Sequence, residues 1–216
     1  GTSTHSIPVI DYAATRAVTL VAGRSGTGKT TFCLRYLVNA SHLRGRWIWD
    51  ADGQISARLG LPAASTAEDL EASMEDGWSI FDPNVLFPGR HAEGFSWFAG
   101  WAYGAAARTS GPSCLLVDEV WRYCSPHAIP QPLAECIQTG RVRGLSCMFA
   151  TQRPNKLNGS VLNEVTECVG FRLQDRLALS VVAECGLPAS EVSCMAPGSW
   201  LSVSCETGAR MSGRLW

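Results

Sequence analysis

The chain has 216 residues, 46% of them hydrophobic and 17% charged, with a formal net charge of −1. That composition excludes a disordered polymer, and the near-neutral charge excludes bulk attraction to nucleic acid, so any such binding must come from local patches. A chain of this length is expected to bury about 70% of its unfolded surface, enough for one domain, residues 1–216, without staples.

Nine cysteines are scattered along the chain and none forms a C-x-x-C pair. A metal or redox motif therefore finds no support, and the spread fits a reduced, intracellular chain that uses cysteine as a small apolar residue. Of eighteen basic residues only Lys29 and Lys156 are lysines. No function is attached to Gly1-Thr2-Ser3, and no signal peptide is read at the start. The longest apolar stretch, Trp97 to Ala107, contains Gly100 and Gly104 and is 11 residues long. A membrane-spanning helix needs about 20, so a soluble chain without such a segment is expected.

In chain order, Ala17 to Ala22 reads as a strand and Thr31 to Val38 as a helix, with Gly23-Arg24-Ser25-Gly26-Thr27-Gly28-Lys29-Thr30 between them. A turn over Ser41 to Gly45 precedes a strand at Arg46 to Trp49. Gln54 to Leu61 is a short helix stopped by Pro62. Thr66 to Asp76 carries five acids and no base, a solvated helix side with Thr66 and Asp69 resembling a capping box. Trp78 to Phe81 is a strand. From Glu93, Phe95, Phe98, Trp101, Ala102 and Ala105 fall on one helical face. That stripe reads as a buried face rather than a base-stacking platform. Cys114 to Val117 is a buried strand running into Asp118-Glu119, and a proline-rich loop follows from Pro126 to Pro132. A helix over Leu133 to Thr139 leads through Gly140-Arg141-Val142-Arg143-Gly144 to a strand at Leu145 to Ala150. Ser160 to Glu167 reads as helix, Cys168 to Arg172 as strand, Asp175 to Cys185 as helix, and Ser199 to Leu215 as a hairpin turning at Glu206-Thr207-Gly208. Strands alternating with helices predict an α/β fold: a mostly parallel central sheet, helices on both faces and a C-terminal β-hairpin.

Strand, glycine loop and helix form the context of a phosphate-binding P-loop. Its glycines let backbone N–H groups cradle a polyphosphate at a helix N-terminus. Gly23, Arg24, Ser25, Gly26, Thr27, Gly28, Lys29, Thr30 and Thr31 are thus the expected nucleotide-binding residues. Lys29 reaches the β- and γ-phosphates, and Thr30 ligates Mg²⁺. Cys114 to Glu119 is a Walker B pattern, with Asp118 on Mg²⁺ and Glu119 as general base for a water. Gln152 ends the next strand, where its amide either senses the γ-phosphate or simply caps the strand. Arg141 and Arg143 are a trans-acting finger, a kinase Lid or an exposed basic turn. The P-loop, Asp118-Glu119 and Gln152 all fall at C-terminal strand ends, where ligands sit in such sheets.

These motifs, with Gly140-Arg141 followed by Gly144-Leu145-Ser146 and Thr151-Gln152-Arg153-Pro154, resemble the HerA/FtsK superfamily of P-loop motor ATPases. Val117-Asp118-Glu119-Val120-Trp121 and Ala196-Pro197-Gly198-Ser199-Trp200 are most similar to its short viral branch, the genome-packaging ATPases of membrane-containing icosahedral viruses. The resemblance implies a RecA-like core in a ring, commonly a hexamer. It implies ATP as substrate, Mg²⁺ as cofactor, Lys29, Glu119 and Gln152 in catalysis, and Arg141 as the finger reaching a neighbour. Asp50-Ala51-Asp52-Gly53-Gln54 resembles the acidic segment after the second strand but ends in Gln54, which receives no chemistry. The function implied is translocation of double-stranded DNA into a preformed capsid, in the host cytoplasm and at the virion's packaging vertex, with capsid vertex or portal proteins as partners. Arg153, Lys156 and Arg90 are the candidate DNA contacts. The rivals are a Zot-like assembly or secretion ATPase, a nucleotide or small-molecule kinase, and a non-hydrolysing nucleotide switch, against which Glu119 counts.

Overall fold

A computed structural model describes residues 17–216; the opening tripeptide and the region read for a signal peptide lie outside the described residues. The elements are β1 Val18–Ala22, α1 Lys29–Asn39, β2 Gly45–Trp49, α2 Gln54–Leu59, α3 Ala67–Ala72, β3 Trp78–Phe81, α4 His91–Arg108 and β4 Ser113–Val117. They continue with α5 Gln131–Thr139, β5 Leu145–Thr151, α6 Gly159–Leu162, β6 Glu167–Gly170, α7 Arg176–Glu184, α8 Ala189–Cys194, β7 Ser199–Ser204 and β8 Arg210–Arg214.

All eight strands join one sheet in the order β3-β2-β4-β5-β1-β6-β7-β8. The first six are parallel, and the β7–β8 hairpin closes the edge antiparallel. β5 lies between β1 and β4, with Ala22 opposite Thr151 and Val117 opposite Phe149. The strands that deliver the P-loop, the Gln152 loop and Asp118-Glu119 therefore end side by side.

Near-continuous apolar strands are what a sheet covered on both faces requires. Alternation then divides them. Leu20, Trp47, Trp49, Leu115, Val117 and Phe149 face one core with α4, α5, α7 and α8. Val21, Ile48, Cys114, Leu116 and Met148 face the other, under α1 and α2. The aromatic stripe of α4 is core: Phe95, Phe98, Ala102 and Ala105 are buried, and Trp101 stacks on Phe98 with centroids 5.6 Å apart. Arg46 ties the end of α1 to the sheet, donating to the carbonyls of Leu37, Ala40 and Leu43 at 2.9, 2.7 and 3.1 Å. A cation there satisfies carbonyls that the helix end leaves unpaired.

Several boundaries differ from the sequence expectation. α2 stops at Gly60, in a left-handed conformation (φ 66), two residues before Pro62. α5 starts at Gln131 and takes Pro132 into its first turn, where proline's missing N–H costs nothing. The helix expected over 160–167 is only α6, capped by Asn158, whose side chain accepts from Ser160 N at 2.9 Å. Thr166 N already donates to Val18 O at 2.9 Å and Glu167 pairs with Thr19, so pairing with β1 overrides helical periodicity there. β6 accordingly spans Glu167–Gly170 rather than 168–172. The capping role of Thr66 is as expected: its hydroxyl accepts from Asp69 N at 3.1 Å. Among the described residues no helix is long and apolar enough to cross a membrane.

Candidate active site

The glycine loop is pinned at both sides. Gly23 N donates to Thr151 O at 3.2 Å, and Arg24 N to Arg172 O at 2.9 Å. Gly28 has φ +113, and a Cβ there would lie 2.7 Å from Leu215 Cδ1, so conformation and space both demand glycine. Lys29 opens α1 and folds back over the loop, its Nζ donating to Arg24 O at 3.0 Å. The Thr27 hydroxyl donates to the same carbonyl at 2.7 Å. Thr31 lines a groove along α1 with Leu34 and Val38, outside the cleft that Lys29 and Thr30 line.

Thr30 Oγ1 donates to Asp118 Oδ2 at 2.6 Å, which brings the P-loop helix and the end of β4 together. The pair fits Mg²⁺: a hydroxyl and a carboxylate are hard oxygen donors. Mg²⁺ takes one or two protein oxygens beside phosphates and water rather than an all-protein cage. No group of three His, Cys, Asp or Glu poised for a metal exists among the described residues.

Glu119 is the one non-glycine residue with positive φ (49°) among the described residues. Such a conformation persists where the surroundings hold it. Its N–H donates to Asp118 Oδ1 at 2.9 Å. Its Oε2 accepts from Trp121 Nε1 at 2.7 Å and from Gln152 N at 3.2 Å, and its Oε1 lies 4.0 Å from Lys29 Nζ.

Lys29, Thr30, Asp118, Glu119 and Gln152 line one cleft of ≈ 270 Å³ together with Ser25 and Gly26. The cleft is also lined by Asp52, from the acidic segment after β2, and by Arg58 and Arg122, which carry no motif signature. Arg122 donates to Asp52 Oδ2 at 3.0 Å. Partial burial pulls the Arg122 pKa down, but Asp52 and the other acids around it outweigh this, so the guanidinium stays charged. Asp50 is buried and caps α2, accepting from Ile55 N at 3.1 Å and Ser56 N at 2.8 Å. The acidic segment after β2 is thus structural at Asp50 and faces the cleft at Asp52. Burial raises the Cys33 thiol and pushes Cys114 up to about 12, so both are neutral packing groups.

The two arginines before β5 sit at the opposite sheet edge. The seven-residue strand β5 separates them from Gln152 by roughly 23 Å. Neither serves as a Lid over its own chain's cleft. Arg143 is engaged within the chain, donating to Tyr103 O at 3.1 Å with its guanidinium 3.8 Å from the Tyr103 ring centroid. Arg141 is exposed. Arg153 and Lys156, both exposed, line a second cleft of ≈ 460 Å³ with Arg24, and this cleft shares Ser25 and Gln152 with the first. Arg153 lies over Trp121, 4.8 Å from the ring centroid. Arg90 follows β3, which β2 and β4 separate from β5, and it pairs with Glu93 at 3.0 Å.

No protein-family model matches the chain, and no curated protein sequence matches it either. Solved structures do. The genome packaging NTPase B204 of Sulfolobus turreted icosahedral virus 2, in complex with ATP-gammaS, superposes with a TM-score of 0.73 at 15% identity, over 92% of this chain and 97% of that one. The fold is that of a P-loop ATPase. VirB4 of Thermoanaerobacter pseudethanolicus shares it with a TM-score of 0.67 at 11% identity, over 92% of this chain and 89% of that one. The pCW3 conjugation coupling protein TcpA gives 0.58 at 12% identity, over 92% and 60%. This is the fold that the HerA/FtsK resemblance implies.

Proposed function

We propose that the chain works as a single-domain, Mg²⁺-dependent ATPase in a homo-oligomeric, hexameric ring. The ring moves double-stranded DNA into a preformed viral capsid, acting in the host cytoplasm and at the capsid vertex. The observation that carries the reading is the meeting of Lys29, Thr30, Asp118, Glu119 and Gln152 in one cleft at the C-terminal strand edge. The fold shared with B204 supports it.

In this reading the P-loop N–H groups and Lys29 hold the triphosphate, and Lys29 leaves the Arg24 carbonyl to do so. Thr30 and Asp118 hold Mg²⁺, which neutralises phosphate charge when bound. Glu119 takes a proton from the attacking water through Oε1. The oxygen–phosphorus bond to the γ-phosphate forms as its bond to ADP breaks, and the electron pair leaves on the ADP oxygen. The Gln152 amide orients that water. Arg141, too distant for its own cleft, completes a neighbour's. Arg153 and Lys156, and Arg90 further out, meet the DNA backbone; in a ring each such contact is repeated by every subunit. Phosphate release measured with and without duplex DNA, alongside a native mass, tests this. A ring whose rate rises several-fold with DNA is expected; a monomer indifferent to DNA contradicts it.

A further inference from the structure

The Glu119 carboxylate is held from one side. Oε2 takes both N–H donors, while Oε1 faces the cleft 4.0 Å from Lys29 Nζ. The Gln152 donor is main chain and is placed by the end of β5. Trp121 supplies the side-chain donor, and its turn is closed by Arg122 N donating to Glu119 O at 3.0 Å. The indole also packs against the core and lies under Arg153, whose guanidinium is 4.8 Å from the ring centroid and exposed in the second cleft. Trp121 therefore stands between the candidate base and a cation that faces a different ligand surface.

We infer that Trp121 is a positioning residue: its indole N–H fixes which oxygen of Glu119 faces the water, and its contact with Arg153 makes that hold responsive to a polyanion in the second cleft. The first half rests on hydrolysis through Glu119, and the second on DNA as the polyanion. A phosphate offers Arg153 a charge-assisted, bidentate partner stronger than an aromatic face. Drawing Arg153 to that phosphate removes the cation from the ring whose edge holds Glu119. Occupancy of the second cleft is thereby felt at the base through Trp121.

Trp121→Phe keeps a ring under Arg153 and deletes the donor. Its basal kcat is expected to fall by about ten- to a hundredfold, the cost of a misaligned group. The KM for ATP should stay within roughly twofold, because ground-state binding is untouched. Its affinity for a duplex oligonucleotide is expected to be unchanged while the stimulation of hydrolysis by that duplex is lost. Trp121→His, which returns a ring N–H, is expected to recover part of the rate. A Trp121→Phe enzyme with wild-type kcat overturns the positioning role, and one that keeps full DNA stimulation overturns the coupling. If wild-type hydrolysis ignores DNA, the coupling falls with the DNA reading and the basal kcat alone decides the positioning. A measurement needing no ATP covers a misfolded Trp121 variant: in otherwise native ¹⁵N-labelled protein, Glu119→Ala is expected to move one indole N–H resonance upfield. No movement overturns the inference.

Discussion

Glu119→Gln is expected to bind ATP with wild-type affinity and to hydrolyse it about 10²- to 10⁴-fold more slowly, the usual worth of a general base. The substitution is nearly isosteric. The amide oxygen still accepts from Trp121 and from Gln152 N, the donors now 2.7 and 3.2 Å from Oε2, so the left-handed turn at residue 119 retains its support. What disappears is a group able to take a proton. Lys29 and Thr30 remain in place to hold nucleotide. Single-turnover hydrolysis together with equilibrium binding of a non-hydrolysable analogue separates the two effects. Loss of binding along with hydrolysis assigns Glu119 to the architecture of the cleft instead.

Arg141→Ala is expected to cost about 10³- to 10⁵-fold in kcat while ATP binding persists, the range seen for an arginine supplied across an interface. The geometry leaves it no role in its own chain's cleft: the whole of β5 intervenes. Arg143 is the poorer candidate because Tyr103 holds its guanidinium by both a carbonyl and a ring. A shared site has a further signature. Arg141→Ala doped into wild-type protein is expected to reduce activity more steeply than the fraction of mutant added. A decline in simple proportion rejects the trans role.

What was legible in the sequence were features that local spacing dictates. Gly23 to Thr30 is a motif whose function depends on consecutive residues, and the run from Cys114 to Glu119 couples a buried strand to two acids. Alternating strands and helices were enough for the parallel sheet and its covered faces. Less legible was anything set by non-local pairing. The place of β5 between β1 and β4, which brings Gln152 N to Glu119, follows from strand order and not from chain order. Local pattern alone reads Val165 and Thr166 as helix, because what draws the segment into the sheet is its pairing with the distant β1. α8 carries a weak pattern of its own; it is anchored by Val192, buried against the neighbourhood of Gly170. Asp52, Arg58 and Arg122 reach the cleft from separate segments, and Trp121 gains meaning only through its partners at either side.

The central claim is that hydrolysis in this cleft moves the chain along duplex DNA. The direct measurement is displacement of a fluorescent third strand from a triplex-bearing duplex. Wild-type protein with ATP and Mg²⁺ is expected to strip the third strand, and Glu119→Gln or a non-hydrolysable analogue is expected to leave it in place. A third strand that stays bound while wild-type protein hydrolyses ATP on the same DNA contradicts the account.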